Sequence, residues 1–310
     1  MMRWLAPALA AVPLSLTATA QGPAAEFRFP GSPIGPQTVA LGGVAVALAA
    51  DAETARNPAG LLAAPHLSVH HFEGFADYSG SVVAASLSLF NRAAIGVSVR
   101  RFGWDHVIED DLGSGTAGLD VSETRLKLTV AALPAPALRV GVAISRMVAD
   151  NLGSRTVATS LSLGAIVRYA RGGTIGLVLQ DAGAPAAATD VGATYPLPTR
   201  LRAGVAQRFE LLNSAVVLAL DLEQSPHGGS FTELAGGTSV ELSRLLVLRA
   251  GYSNAENLDV GSGRTGRWSA GLGLVVGDLE LGFAFRFGAP TGGYETFVGL
   301  DAFRPSRPQM

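Results

Sequence analysis

Five histidines and a scatter of carboxylates are the residues of this chain whose types could do chemistry. The histidines are His66, His70, His71, His106 and His227. On a helix, His66 and His70 would stack as neighbours four apart and could share a metal ion. The sequence around them alternates with period two, so they read as strand residues two pleats apart. His70 and His71 then point to opposite faces. Polar residues of an interface or an interior are the better reading, and no metal site is expected. Asp105, His106, Glu109, Asp110 and Asp111 gather in one polar stretch, which reads as a solvated or cation-binding loop. No G-x-S-x-G elbow occurs. Gly261-Ser262-Gly263 lacks the lysine and the strand-to-helix setting of a phosphate loop. There is no cysteine, which removes disulfide frameworks, thiol catalysis and a lipidated N-terminal cysteine. The chain reads as a non-enzyme with no cofactor and no nucleic-acid partner.

A second set of charges has a clearer arrangement. Arg100, Arg125, Lys127, Arg200, Arg202, Asp221, Glu223, Arg249, Glu280 and Arg286 all fall on the polar face of alternating segments. They could be ion pairs bracing a wall, or they could tune a solute path. Buried charges are usually paired, which favours the first.

Strands must position these charges. From Leu279 to Phe287, one face is Leu279, Leu281, Phe283, Phe285 and Phe287, and the other is Glu280, Gly282, Ala284 and Arg286. Leu126, Leu128 and Val130 alternate with Arg125, Lys127 and Thr129 in the same way. Turn signals such as Arg171-Gly172-Gly173 and Gly277-Asp278 punctuate the pattern. The spacing predicts about 14 strands: 66–78, 79–90, 92–105, 121–133, 137–149, 156–170, 172–181, 197–209, 213–224, 231–243, 245–254, 266–277, 278–288 and 294–303. Longer polar stretches at 105–120, 181–195, 224–230 and 254–267 read as loops on one rim, with short turns on the other.

The composition says where the apolar faces go. Of 310 residues 48% are hydrophobic and only 15% charged, with a formal net charge of -2. Residues 1–20 combine an early arginine, a short apolar body and Ala18-Thr19-Ala20, which is the pattern of a secretory signal peptide. Beyond it, no uncharged apolar run reaches spanning length. A bilayer admits only helices and closed barrels, because backbone polar groups must be paired internally. A β-sandwich would also alternate. The low charge content favours an all-β transmembrane antiparallel barrel over residues 66–304, in an outer membrane and covered by its lipid, with a tail at 305–310. Aromatics are 7% of residues. Phe72, Phe75, Tyr78, Phe102, Trp104, Tyr169, Phe209, Tyr252, Trp268 and Phe297 lie near predicted strand ends and read as a thin interfacial girdle.

Residues 21–65 do not alternate. A small apolar run holding Gly42 and Gly43 leads to Asp51 and then to Asn57-Pro58-Ala59-Gly60. Asn-Pro starts turns, so this is read as short helical pieces ending in a fixed turn, a plug ahead of the first strand. The stretch Leu41-Gly42-Gly43-Val44-Ala45-Val46-Ala47-Leu48-Ala49-Ala50-Asp51 followed by Asn57-Pro58-Ala59-Gly60-Leu61 resembles the N-terminal signature of FadL-like outer-membrane proteins, closest to the PorV/PorQ branch. Tyr195-Pro196-Leu197-Pro198-Thr199-Arg200 resembles the entry to a mid-barrel strand in the same proteins. The resemblance implies a 14-stranded barrel with an N-terminal plug. It implies either uptake of a hydrophobic small molecule or, as the alternative, a partner or shuttle role beside a type IX secretion-system protein.

Overall fold

A computed structural model describes residues 34–48, 56–61, 66–74, 78–89, 92–109, 116–151, 154–188, 194–195, 197, 199–212, 214–224, 232–254, 266–288 and 294–302. The expected signal peptide, Asp51 of the turn motif and the C-terminal tail lie outside these residues.

The chain forms sixteen strand segments in one sheet. They are β1 His66–Glu73, β2 Tyr78–Leu89, β3 Ala93–Glu109, β4 Thr116–Ala135, β5 Leu138–Asn151, β6 Ser154–Ala170, β7 Gly173–Ala182, β8 Ala186–Ala188, β9 Thr194–Tyr195, β10 Arg200–Leu211, β11 Ser214–Gln224, β12 Thr232–Glu241, β13 Leu246–Ser253, β14 Arg267–Val276, β15 Leu279–Phe287 and β16 Tyr294–Ala302. The short β8 and β9 hang on the upper end of β6, where Thr156 faces Ala188. The other 14 close a barrel of antiparallel neighbours. β1 pairs β16 through Val69↔Leu300, and β5 pairs β6 through Ala143↔Ser162, so no edge is left open.

Each of the fourteen expected segments is a wall strand, with shifted ends. β1 stops at Glu73. The stretch 105–120, expected as a loop, is mostly hairpin: β3 and β4 keep pairing from Asp105↔Asp120 to Glu109↔Thr116. Polar residues mark where the pair leaves lipid, and a ladder can continue into water.

The two faces of the wall differ as period-two strands require. Leu67, Val83, Val97, Leu126, Ile144, Leu177, Leu220, Leu248, Phe283 and Leu300 point outward and are exposed. An apolar surface this continuous, running right round a closed barrel, has lipid as its fitting solvent. This is an outer-membrane β-barrel. No described helix is long and apolar enough to cross a membrane. Short turns such as Ala170–Gly173 and Val276–Leu279 share a rim with the start of β1 and the end of β16. That rim is periplasmic by the usual arrangement of such barrels.

Outward aromatics form one continuous row at the opposite rim. Tyr252 faces Trp268, Trp268 faces Phe287 and Phe287 faces Tyr294 across β13 to β16. Phe72, Phe102 and Phe297, expected in the girdle, are instead buried inside. Their parity within β1, β3 and β16 puts them on the inner face, which nearness to a strand end does not reveal.

Candidate functional site

Fourteen strands enclose more space than wall side chains can fill, and the N-terminal segment occupies it. Residues 34–48 and 56–61 run as a strap around the inner wall. A five-residue helix, α1 Pro36–Ala40, opens it, with proline at the first turn where no N–H is missed. Pro36 lies over Gly282 and Gly299, Leu41 over Gly237, Gly42 over Gly251, Val46 over Gly176, and Pro58 over Gly141. At each seat a β-carbon on the wall would overlap the strap. Gly42 itself takes φ +73 and packs its backbone on that of Tyr252, a conformation that costs glycine nothing.

Polar contacts lock the strap to its seats. The N–H groups of Ala45 and Val46 both donate to Asp221 Oδ2, at 2.8 and 3.0 Å. The Gly42 N–H donates to Ser269 Oγ at 3.0 Å, and Thr174 Oγ1 donates to the Ala47 carbonyl at 2.9 Å. Arg56 returns over Gly43, with a guanidinium nitrogen 3.6 Å from where a β-carbon would stand.

Asn57 is wholly buried and bonds in four directions. Its Oδ1 accepts from the Ala59 N–H at 3.0 Å, capping the 3-10 turn Pro58–Gly60. Its Nδ2 reaches the carbonyls of Val46 at 2.9 Å, Ala165 at 3.0 Å and Leu177 at 3.2 Å. One side chain thus ties the turn to the earlier strap and to β6 and β7. Gly164 leaves room for it, and Gly60 passes close beneath the Leu48 carbonyl.

The ten charges singled out by alternation all project from the inner face. Arg125 pairs Asp181 at 2.5 Å and donates to Ser145 at 2.9 Å. Arg200 and Arg202 converge on Glu223, the former at 3.0 Å. Arg249 pairs Glu280 at 2.6 Å, and Arg286 pairs Glu295. Arg100 stands 4.6 Å over the Phe102 ring, and Lys127 is buried across from Ser98. Asp221 differs from the rest, because its carboxylate is turned to the strap backbone. So most of these charges brace the wall in pairs, and one holds the plug.

Among these pairs lies an apolar island. Phe72, Val82, Phe102, Ala284 and Phe297 line the inner wall, and Ile34, Val39 and Ala40 of the strap cover them. Phe72 stacks on Phe297 at 5.4 Å and meets Phe102 edge-on at 5.2 Å. Arg286 lies 5.4 Å from the Phe297 ring centre.

No family model matches the chain, and no curated protein does. Solved structures do. The CymD monoaromatic hydrocarbon channel superposes with a TM-score of 0.63 at 14% identity, covering 89% of this chain and 99% of that one. The toluene transporter TodX of Pseudomonas putida gives 0.64 at 14%, covering 88% and 99%. Omp33 of Acinetobacter baumannii gives 0.50 at 8%, covering 77% and 97%. The chain shares the fold of these outer-membrane proteins. At such identities the likeness concerns the fold alone.

Several interior residues escaped sequence reasoning. Asp301 lies between two histidines, hydrogen-bonded to His70 Nε2 at 3.0 Å and 3.3 Å from His66 Nε2. It faces Ser68 across β1 and β16, so the imidazoles approach it from opposite sides along the strand. This is a polar brace at the closing seam, and among the described residues no group of three or more acids and histidines could hold a metal ion. His71 is on the outer face with Ser81. Asp105, His106 and Glu109 lie in β3, while Asp110 and Asp111 fall outside the described residues. Asp181 was missed because it sits at an irregularity, with φ +54 where β7 slips a residue against β6. Ser160 Oγ donates to its carboxylate at 2.9 Å. Beyond it the chain tucks inward, setting Ala186 and Leu197 against Met147 and Ala158.

Proposed function

We propose that this barrel passes small hydrophobic molecules through the outer membrane while holding ions back. One observation carries the reading. An aromatic island, Phe72, Phe102 and Phe297, lies inside a lumen lined elsewhere by ion pairs, small residues and aliphatic side chains, and it is covered by the strap. A packed waist gives a hydrated ion no path, whereas a hydrocarbon loses little on leaving lipid for an aromatic wall. Burying a toluene-sized ring there is worth about 2–3 kcal/mol. The FadL-like signature at Gly42, Gly43 and Asn57–Gly60 supports this reading. So does the fold shared with a hydrocarbon channel and a toluene transporter. The type IX partner role has no feature among the described residues in its favour.

Labelled toluene uptake into proteoliposomes tests the proposal. Placing a carboxylate in the island, F72D with F297D, should cut uptake roughly tenfold or more, since an entering ring would meet charged groups it must desolvate in place of an apolar wall. Heat-modifiable mobility should stay normal. Unchanged uptake by the folded double variant would refute the route.

A further inference from the structure

We propose that the outer face of β3 to β6 holds a binding site for a phosphorylated lipid of the outer leaflet. The observation is a cationic cluster on an otherwise apolar wall. Among described strand residues, the outward-facing arginines are Arg101, Arg146 and Arg155, and all are exposed. They lie on β3, β5 and β6, in the half of each strand away from the short turns. Register places Arg146 level with Leu126 and Thr159, Arg101 level with Thr124, and Arg155 opposite Asp150. Arg146 Nη1 donates to Thr159 Oγ1 at 2.8 Å, which turns its guanidinium across the wall toward β6, the strand of Arg155.

Position and chemistry agree on the occupant. An arginine on the lipid face is costly at mid-bilayer and nearly free at the interface, so this cluster marks headgroup depth on the extracellular side. β4 separates β3 from β5, so Arg101 and Arg146 stand two strand spacings apart, about 10 Å across the wall, and two residues apart along it, a span that suits a large headgroup carrying two phosphates. Guanidinium groups bind phosphate by paired, charge-assisted hydrogen bonds. Immediately below, Leu128, Ile144 and Leu161 lie side by side and exposed, a surface for acyl chains. Among the side chains described on this face, three arginines accompany one carboxylate, Asp150. The aromatic row lies on β13 to β16, well round the barrel, so the two sectors meet the outer leaflet by different chemistry.

The site depends on how the wall sits in the membrane and not on what the lumen carries. The experiment is lipid binding by the detergent-solubilised barrel, read by native mass spectrometry. The probes are a bisphosphorylated lipid A-type glycolipid and its dephosphorylated form. R101Q with R146Q should weaken binding of the phosphorylated lipid roughly 30-fold, since each interfacial arginine supplies part of the attraction. The dephosphorylated lipid should bind wild type and variant equally weakly. Asp150→Asn should tighten binding, and Arg244→Gln, in a turn on the other rim, should leave it unchanged. Wild-type affinity in the double variant, weaker binding by Asp150→Asn, or full displacement of the lipid by low-millimolar inorganic phosphate would each overturn the proposal.

Discussion

Gly176→Val combined with Gly251→Val should leave a closed barrel whose waist no longer seals. A β-carbon at Gly176 overlaps the Val46 carbonyl, and one at Gly251 overlaps the Gly42 amide. Both obstacles are backbone, so no side chain can rotate away. The conflict exceeds the roughly 1–3 kcal/mol of an overpacking that a core can absorb. The strap must leave its seat, while the inter-strand ladders of β7 and β13 need no change. A barrel this wide then opens an aqueous path, and ion leakage in planar bilayers should rise by at least about tenfold. Gly103→Ala is the control, because nothing lies within 4 Å of a β-carbon there. Leakage in the double variant equal to wild type would mean that the strap does not seal the lumen.

Asn57→Ala is expected to have the second largest effect. It removes the cap on Ala59 and the donor to Val46, Ala165 and Leu177 together. The cap is worth about 1 kcal/mol. Each buried polar group left unmatched costs about 1–3 kcal/mol. A total near 3–4 kcal/mol is large against the stability of one short segment. The strap should become sensitive to limited proteolysis under conditions where wild type resists. Asn57→Asp should also fail, because a carboxylate can still cap Ala59 but cannot donate to the three carbonyls. Equal protease resistance of wild type and Asn57→Ala would show that the turn is held by its glycine seats alone.

The wall was legible in the sequence for a simple reason. Side-chain direction alternates with each residue, so Leu279 to Phe287 sorts into a lipid face and an inner face without any knowledge of its neighbours. The ten inner charges followed from the same parity. What parity cannot give is a partner. Asp221 and Glu223 look alike by alternation, yet one holds the Ala45 and Val46 amides and the other holds two arginines. Glycine on the inner face was equally opaque. By parity alone Gly141, Gly176 and Gly251 are only small inner-face residues, whereas they are the seats on which the strap rests. Strand ends were misjudged where polarity stood in for structure, as at 105–120, where pairing outlasts the bilayer. Nearness to a strand end, taken without parity, set Phe72, Phe102 and Phe297 in the girdle rather than in the lumen.

Lipid covering the outer wall is the central claim. Gel mobility of the outer-membrane fraction, with and without boiling, tests that most directly. A closed barrel should migrate faster unboiled than boiled and should precipitate once detergent is withdrawn. A chain of unchanged mobility that stays monomeric in detergent-free buffer would contradict the account.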